Sequence, residues 1–236
     1  MCYAINVAPA EAARIAARAG RQLLLSIADL DYPDPPRWTT VFALPRIPIY
    51  RPAAQGGAAL ALWPFLPPRV RSKDEARILA NQTGNCRSEE MFEKPTWREA
   101  AVARRCLVPV LGYFEHQHRF KASAKAPVKV PYWFHRPGGE IFWIAGLWQD
   151  WQGEPTVTLC TTAANRLNAW VHNSNPRQPL IVPDEHAARW LESGGPEPLA
   201  PLLSPRDDDG IVAQETEGST GKRLEKAPPP PPGGPG

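Results

Sequence analysis

Cys2 directly follows the initiator Met1. With Met1 removed, one residue presents a thiol and a free α-amine on adjacent carbons. The amine titrates near pH 7.7 to 8.0 and a free thiol near pH 8.5, so both are partly in reactive form around neutrality. An aldehyde can meet both in turn. The amine forms a Schiff base, and the neighbouring sulfur closes on it to give a five-membered thiazolidine. That chemistry suits an aldehyde better than an amide.

Two further residues can move protons. Glu115 ends an apolar run, Leu107 to Phe114, where burial raises a carboxyl pKa. His172 follows a short helical pattern and can shuttle protons during Schiff-base formation or its reversal. His116 and His118 stand two apart and share a face if the run is a strand, but no third ligand accompanies them and no metal is expected. No cofactor motif is present either: the glycines form no dinucleotide or phosphate loop.

The elements that must position these residues are legible from the pattern. Strands are expected at 40–44, 58–63, 105–114, 128–134, 140–147 and 156–161, which are rich in β-branched and aromatic residues. Helices are expected at 9–19, 73–81, 96–103, 163–171 and 184–192, the first stopped by Gly20. Short strands mixed with helices, without strict alternation, predict an α+β fold with a mostly antiparallel, barrel-like sheet and peripheral helices.

The chain of 236 residues, 43% hydrophobic, is long enough for one sizeable core. Residues 1–204 are read as one domain of catalytic size. Residues 205–236 carry Asp207 to Asp209 and end in the proline run 228–232, so they are read as a largely disordered tail, with one last strand conceivable at 211–213. The net charge of +3 rises to +5 over residues 1–200, because residues 201–236 hold four Lys/Arg against six Asp/Glu. This permits a polyanionic partner without demanding one. Cys2, Cys86, Cys106 and Cys160 form no Cys-X-X-Cys pair and read as reduced thiols. The first twenty residues contain Glu11, Arg14 and Arg18 and no long apolar run, so a cytoplasmic protein without a membrane partner is expected; a monomer is the expected state.

Several short motifs occur together. They are Met1-Cys2, Trp63 to Pro67, Asn85 to Glu89 with Glu93 to Pro95, Arg105 to Pro109 leading to Gly112 to Glu115, Ala145 to Trp148, and Thr161 to Asn165 leading to His172. In this order and together, they resemble the SOS-response-associated peptidase family. The resemblance implies a protein that processes abasic sites in single-stranded DNA by covalent crosslinking through Cys2. It further implies that Asn85 hydrogen-bonds the reacting Cys2 or a sugar oxygen, and that Arg87, in the same Asn-X-Arg motif, holds phosphate. It assigns Arg177 to the DNA backbone, Trp63 to stacking on a base beside the lesion, and Thr161 to the DNA-binding set. The chain departs from the family pattern at Tyr3-Ala4, at His116 and at Gln178.

Three functions compete. Covalent capture of abasic DNA requires Cys2. An N-terminal-nucleophile peptidase would use Cys2 with Glu115 and His172 on peptides, at least on its own leader. A passive single-strand binder would need only a basic groove and aromatics.

Overall fold

We describe a computed structural model of the chain, whose described residues are 2–119, 126–192, 194–207 and 209–216. The strands are β1 (Ala4–Val7), β2 (Thr39–Thr40), β3 (Arg46–Tyr50), β4 (Ala58–Leu62), β5 (Asn85–Arg87), β6 (Arg105–Arg119), β7 (Val128–His135), β8 (Phe142–Trp151), β9 (Glu154–Ala163), β10 (Arg177–Pro179), β11 (Ile181–Val182) and β12 (Val212–Glu215). The helices are α1 (Ala10–Arg18), α2 (Leu23–Ala28), α3 (Lys73–Thr83), α4 (Arg98–Ala103), α5 (Arg166–Val171), α6 (Ala187–Leu191) and α7 (Ala200–Leu203).

All twelve strands belong to one sheet, in the order β11-β8-β9-β4-β3-β6-β1-β2 with β5 and β10 on β9 and β7 and β12 beyond β6. Most pairings are antiparallel, while β4–β9 and β5–β9 are parallel. The architecture is therefore α+β around a large mixed sheet. The expected barrel is not the description that holds. The links that would close it, β3–β6 and β4–β9, each rest on one register pair, Tyr50 with Leu107 and Leu62 with Thr156.

Side chains alternate between two faces, and both faces are buried. Leu107, Trp143, Ala145, Leu147 and Cys160 join the buried side chains of α1, α2, α4, α6 and α7 in one cluster. Cys106, Val108, Ile144, Val157 and Leu159 point the other way, into a cluster that also contains Cys2, Trp63 and Tyr113. Helices cover the first face, and the curled sheet encloses the second.

One expectation is corrected. Residues 40–44 are not a strand: Val41–Ala43 is a 3-10 turn, Leu44 sits in the left-handed region at φ 50°, and the strand begins at Arg46. Pro48 lies inside that strand opposite Leu60, and on the other edge β3 pairs only at Tyr50, so the missing N–H forfeits no ladder bond there. The last strand held conceivable at 211–213 forms as Val212–Glu215. Ile211 is buried in the Cys2 cluster, and β12 pairs with β7 from Val212 opposite His135 to Glu215 opposite Tyr132. The proline run lies outside the described residues. Among those described, no helix is long and apolar enough to cross a membrane.

Candidate functional site

A bulge in β6 aims the site. Asn6 pairs with Gly112 but Val7 pairs with Val110, which leaves Leu111 as an extra residue. Before the bulge, Val108 and Val110 face the Cys2 cluster and odd-numbered Leu107 faces away. After it the parity reverses, so odd-numbered Tyr113 faces inward with Glu115 and Gln117, both at most 5% exposed.

Opposite them stands α5 and the turn that follows. Asn165 caps α5 by accepting a hydrogen bond from the Asn168 amide at 2.9 Å. Tyr113 donates to Asn168 Oδ1 at 2.8 Å and Gln117 to the Trp170 carbonyl at 3.0 Å, which ties helix to strand. The helix ends at His172, whose Nδ1 lies 3.1 Å from the Arg177 carbonyl and 3.7 Å from Glu115 Oε1. A carbonyl only accepts, so Nδ1 carries the proton and Nε2 keeps its lone pair.

The charges follow from burial. Desolvation pushes the Glu115 carboxyl up to about 8, and burial pulls His172 down to about 4. Between those values both are neutral, so their contact is not an ion pair in that range. The Cys2 thiol is fully buried, donates to the Ala4 carbonyl at 3.4 Å and is held well above the ordinary thiol range, first by desolvation and then by Glu115. It is a thiol at neutral pH, beside a carboxylic acid and a neutral imidazole.

A second group converges through register. On parallel strands Asn85 is opposite Leu159 and Arg87 opposite Thr161, while Arg177 pairs with Ala163 across β10 and β9. Asn85, Arg87, Thr161 and Arg177 therefore share the sheet face of Leu159, the face of the Cys2 cluster. Asn85 is 7% exposed, and neither its amide oxygen nor its amide nitrogen has a partner among the described residues. A buried amide in that condition is costly and fits a group waiting for a ligand.

The remaining residues expected in the site differ in access. Arg87 is half exposed, with Glu90 3.8 Å away. Arg177 is nine-tenths buried and committed: its two terminal nitrogens donate to Glu89 at 2.6 and 2.9 Å, and one also to the Thr161 carbonyl at 2.8 Å. Direct contact with phosphate would require it to leave Glu89. Thr161 is fully buried against Cys86 and Arg177. Trp63 is also fully buried, donates to the Gly84 carbonyl at 2.8 Å and offers no face to a base in this structure. Tyr113 and Glu89 take positions that no sequence argument gave them, although the spacing 85, 87, 89 carries a period-two signal in plain sight.

A match to the family model described as SOS response associated peptidase spans residues 2–220. The chain belongs to that family. Among the family's named relatives, abasic site processing protein YoqW of Bacillus subtilis is 31% identical over 160 residues, which cover 65% of this chain and 66% of YoqW. The match thus spans just under two thirds of that relative's length. Abasic site processing protein HMCES of Xenopus tropicalis is 24% identical over 156 residues, covering 56% of this chain and 44% of HMCES. A crystal structure of a protein from Bacteroides thetaiotaomicron matches with a TM-score of 0.71 at 30% identity over 91% of each chain.

Proposed function

We propose that this chain captures abasic sites in single-stranded DNA as a covalent thiazolidine on Cys2. The observation that carries the reading is a buried carboxyl 3.7 Å from His172 on the enclosed face that also holds the buried Cys2 thiol. Relatives named as abasic site processing proteins in bacteria, yeast and vertebrates support it.

In this reading the α-amine of Cys2, exposed by removal of Met1, adds to the C1′ aldehyde of the ring-opened sugar. Glu115 gives its proton to the carbinolamine oxygen, which leaves as water. The Cys2 sulfur then adds to the iminium carbon, and its proton passes to the Glu115 carboxylate or to Nε2 of His172. No step needs a free thiolate, because the iminium is a far stronger electrophile than a carbonyl. Asn85 supplies its unpartnered amide to the sugar oxygens, and Arg87 meets phosphate from its half-exposed position.

The peptidase alternative asks for the opposite electrostatics. A cysteine peptidase runs on a thiolate paired with an imidazolium, whereas burial here disfavours both charges. The test is incubation of protein confirmed by mass to lack Met1 with single-stranded DNA carrying one abasic site, followed by denaturing electrophoresis. A shifted band that needs both the lesion and Cys2 is expected. Equal shift with Cys2→Ala, or none with wild type, would overturn the proposal.

A further inference from the structure

Glu89 belongs to the Asn85-X-Arg87-X-Glu89 series, yet the proposed chemistry gives it no part. Its carboxylate takes both terminal nitrogens of Arg177 in a two-pronged fork at 2.6 and 2.9 Å. The nitrogen at 2.9 Å also donates to the Thr161 carbonyl at 2.8 Å and to Thr161 Oγ1 at 3.2 Å. Arg177 thus bridges the segment that follows β5 and strand β9 from its own short strand. Its backbone carbonyl is the acceptor that faces His172 Nδ1 at 3.1 Å.

We propose that Glu89 is a positioning residue that acts through Arg177 to hold His172 in the Nδ1–H form, keeping Nε2 as the proton acceptor. The inference rests on the proposed function for its consequence, but its geometry stands without DNA. Arg177 opens β10, a three-residue strand paired with β9 from Arg177 opposite Ala163 to Pro179 opposite Thr161, and its side chain anchors that end of the strand to Glu89 and Thr161. Between His172 and Arg177 lie Asn173, Ser174, Asn175 and Pro176, outside any helix or strand, and the Pro176 carbonyl accepts from Ala164 N at 3.2 Å. Glu89 arrives from outside this segment, where Ser88 N donates to the Thr161 carbonyl at 2.8 Å and sets the strand end. The Glu89 pKa is below the usual carboxylate value: desolvation raises it, but the Arg177 hydrogen bonds and charge, its own backbone amide and Arg87 together lower it further.

A merely electrostatic Glu89 would predict something different. Removing a negative charge next to a DNA site should strengthen DNA binding and leave the histidine alone. Loss of positioning should instead redistribute the imidazole proton and slow the chemistry while affinity for intact DNA holds or rises.

The experiment is nitrogen-15 NMR of histidine-labelled protein at pH 7 without DNA, with His172 assigned from the spectrum of His172→Gln. In wild type the proton-bearing nitrogen of His172 is expected to be Nδ1. In Glu89→Gln the Nδ1–H fraction should fall, and the crosslinking rate should drop about tenfold. Glu89→Asp, which keeps the charge one methylene shorter, should recover part of both. Unchanged His172 shifts in Glu89→Gln overturn the inference. If Glu89→Gln does not fold, Glu89→Asp carries the test, with a smaller loss of Nδ1–H expected and unchanged shifts overturning it. Wild-type protein that fails to crosslink would sink the proposed function while leaving the tautomer result readable.

Discussion

Arg105 and Glu115 lie ten residues apart on β6, and both are at most 5% exposed, yet they are handled in opposite ways. Arg105 is satisfied by carbonyls. It donates to Trp190 and Gly194, the latter at 3.0 Å, to Ala101 by a short contact, and its guanidinium lies 5.8 Å from the Trp190 ring. Glu115 stands 3.7 Å from the His172 imidazole, and desolvation raises its pKa so that it holds a proton at neutral pH. The difference separates a buried charge that holds α4 and α6 to the sheet from a buried acid kept ready to give its proton away. Burial alone does not mark a site; how burial is compensated does.

Arg105→Ala should give the largest effect. It strands three carbonyls and removes the packing beneath Trp190, so a loss of about 3 to 5 kcal/mol is expected in denaturant unfolding. Crosslinking per folded molecule should hold, because Arg105 serves the helix-covered face. A variant that unfolds normally but has lost crosslinking would erase the contrast.

Glu115→Gln should do the reverse. Removing a general acid costs on the order of a hundredfold in crosslinking rate. The stability effect depends on pH, with a definite sign. The folded carboxyl titrates at about 8 against a reference of 4.5, so between those values the folded state holds the extra proton. Stability contributed by that group is full below pH 4.5 and falls as pH rises to 8. His172, lowered to about 4, opposes this only below its reference of 6.5, and it does so in variant and wild type alike. Glu115→Gln should therefore gain on wild type by up to about 1.4 kcal/mol per pH unit from 4.5 to 8, read from thermal melts across pH. A pH-independent difference would mean that the carboxyl is ionised in the folded protein. The upper limb of the crosslinking pH profile should vanish with the same substitution.

How much of this was legible before the fold was known depends on the kind of signal. Helices α1, α3 and α4 fell where expected, the first with its Gly20 stop, and the long strands were marked by β-branched and aromatic runs. Glu115 was placed at a strand end, but β6 continues to Arg119. Its burial comes from the Leu111 bulge and from α5, neither of which leaves a local mark. The turn at Val41–Ala43 was read as a strand because its residues are apolar, and the left-handed Leu44 that ends it has no sequence signature. The family resemblance assigned Arg177 to the DNA backbone. Only the register of β5, β9 and β10 reveals that Glu89 already holds it.

Asn85 sharpens the comparison in a different currency, because it is neutral. Its amide has two buried atoms without partners among the described residues, a condition that costs about 1 to 3 kcal/mol when a site is left this way. Asn85→Leu, of similar size, should leave unfolding stability equal or raised while crosslinking slows at least tenfold. A protein destabilised by this change would indicate that the amide is already satisfied, and the role assigned to it would fall.

Trp63 marks the small end of the scale. Its indole donates to the Gly84 carbonyl, which also accepts from Leu159 N at 3.2 Å, so Trp63→Phe removes one of two donors and leaves the carbonyl satisfied. The expected cost is about 1 kcal/mol of stability, from the lost hydrogen bond and a slightly smaller ring. Gly84 immediately precedes Asn85, so the crosslinking rate should slip by no more than a few fold as β5 loosens. Affinity for intact single-stranded DNA, measured by fluorescence anisotropy, should not change, because a fully buried ring cannot stack on a base. A several-fold loss of that affinity at unchanged stability would show that Trp63 turns outward on DNA, and would move it from the packing of β5 into the DNA-binding surface.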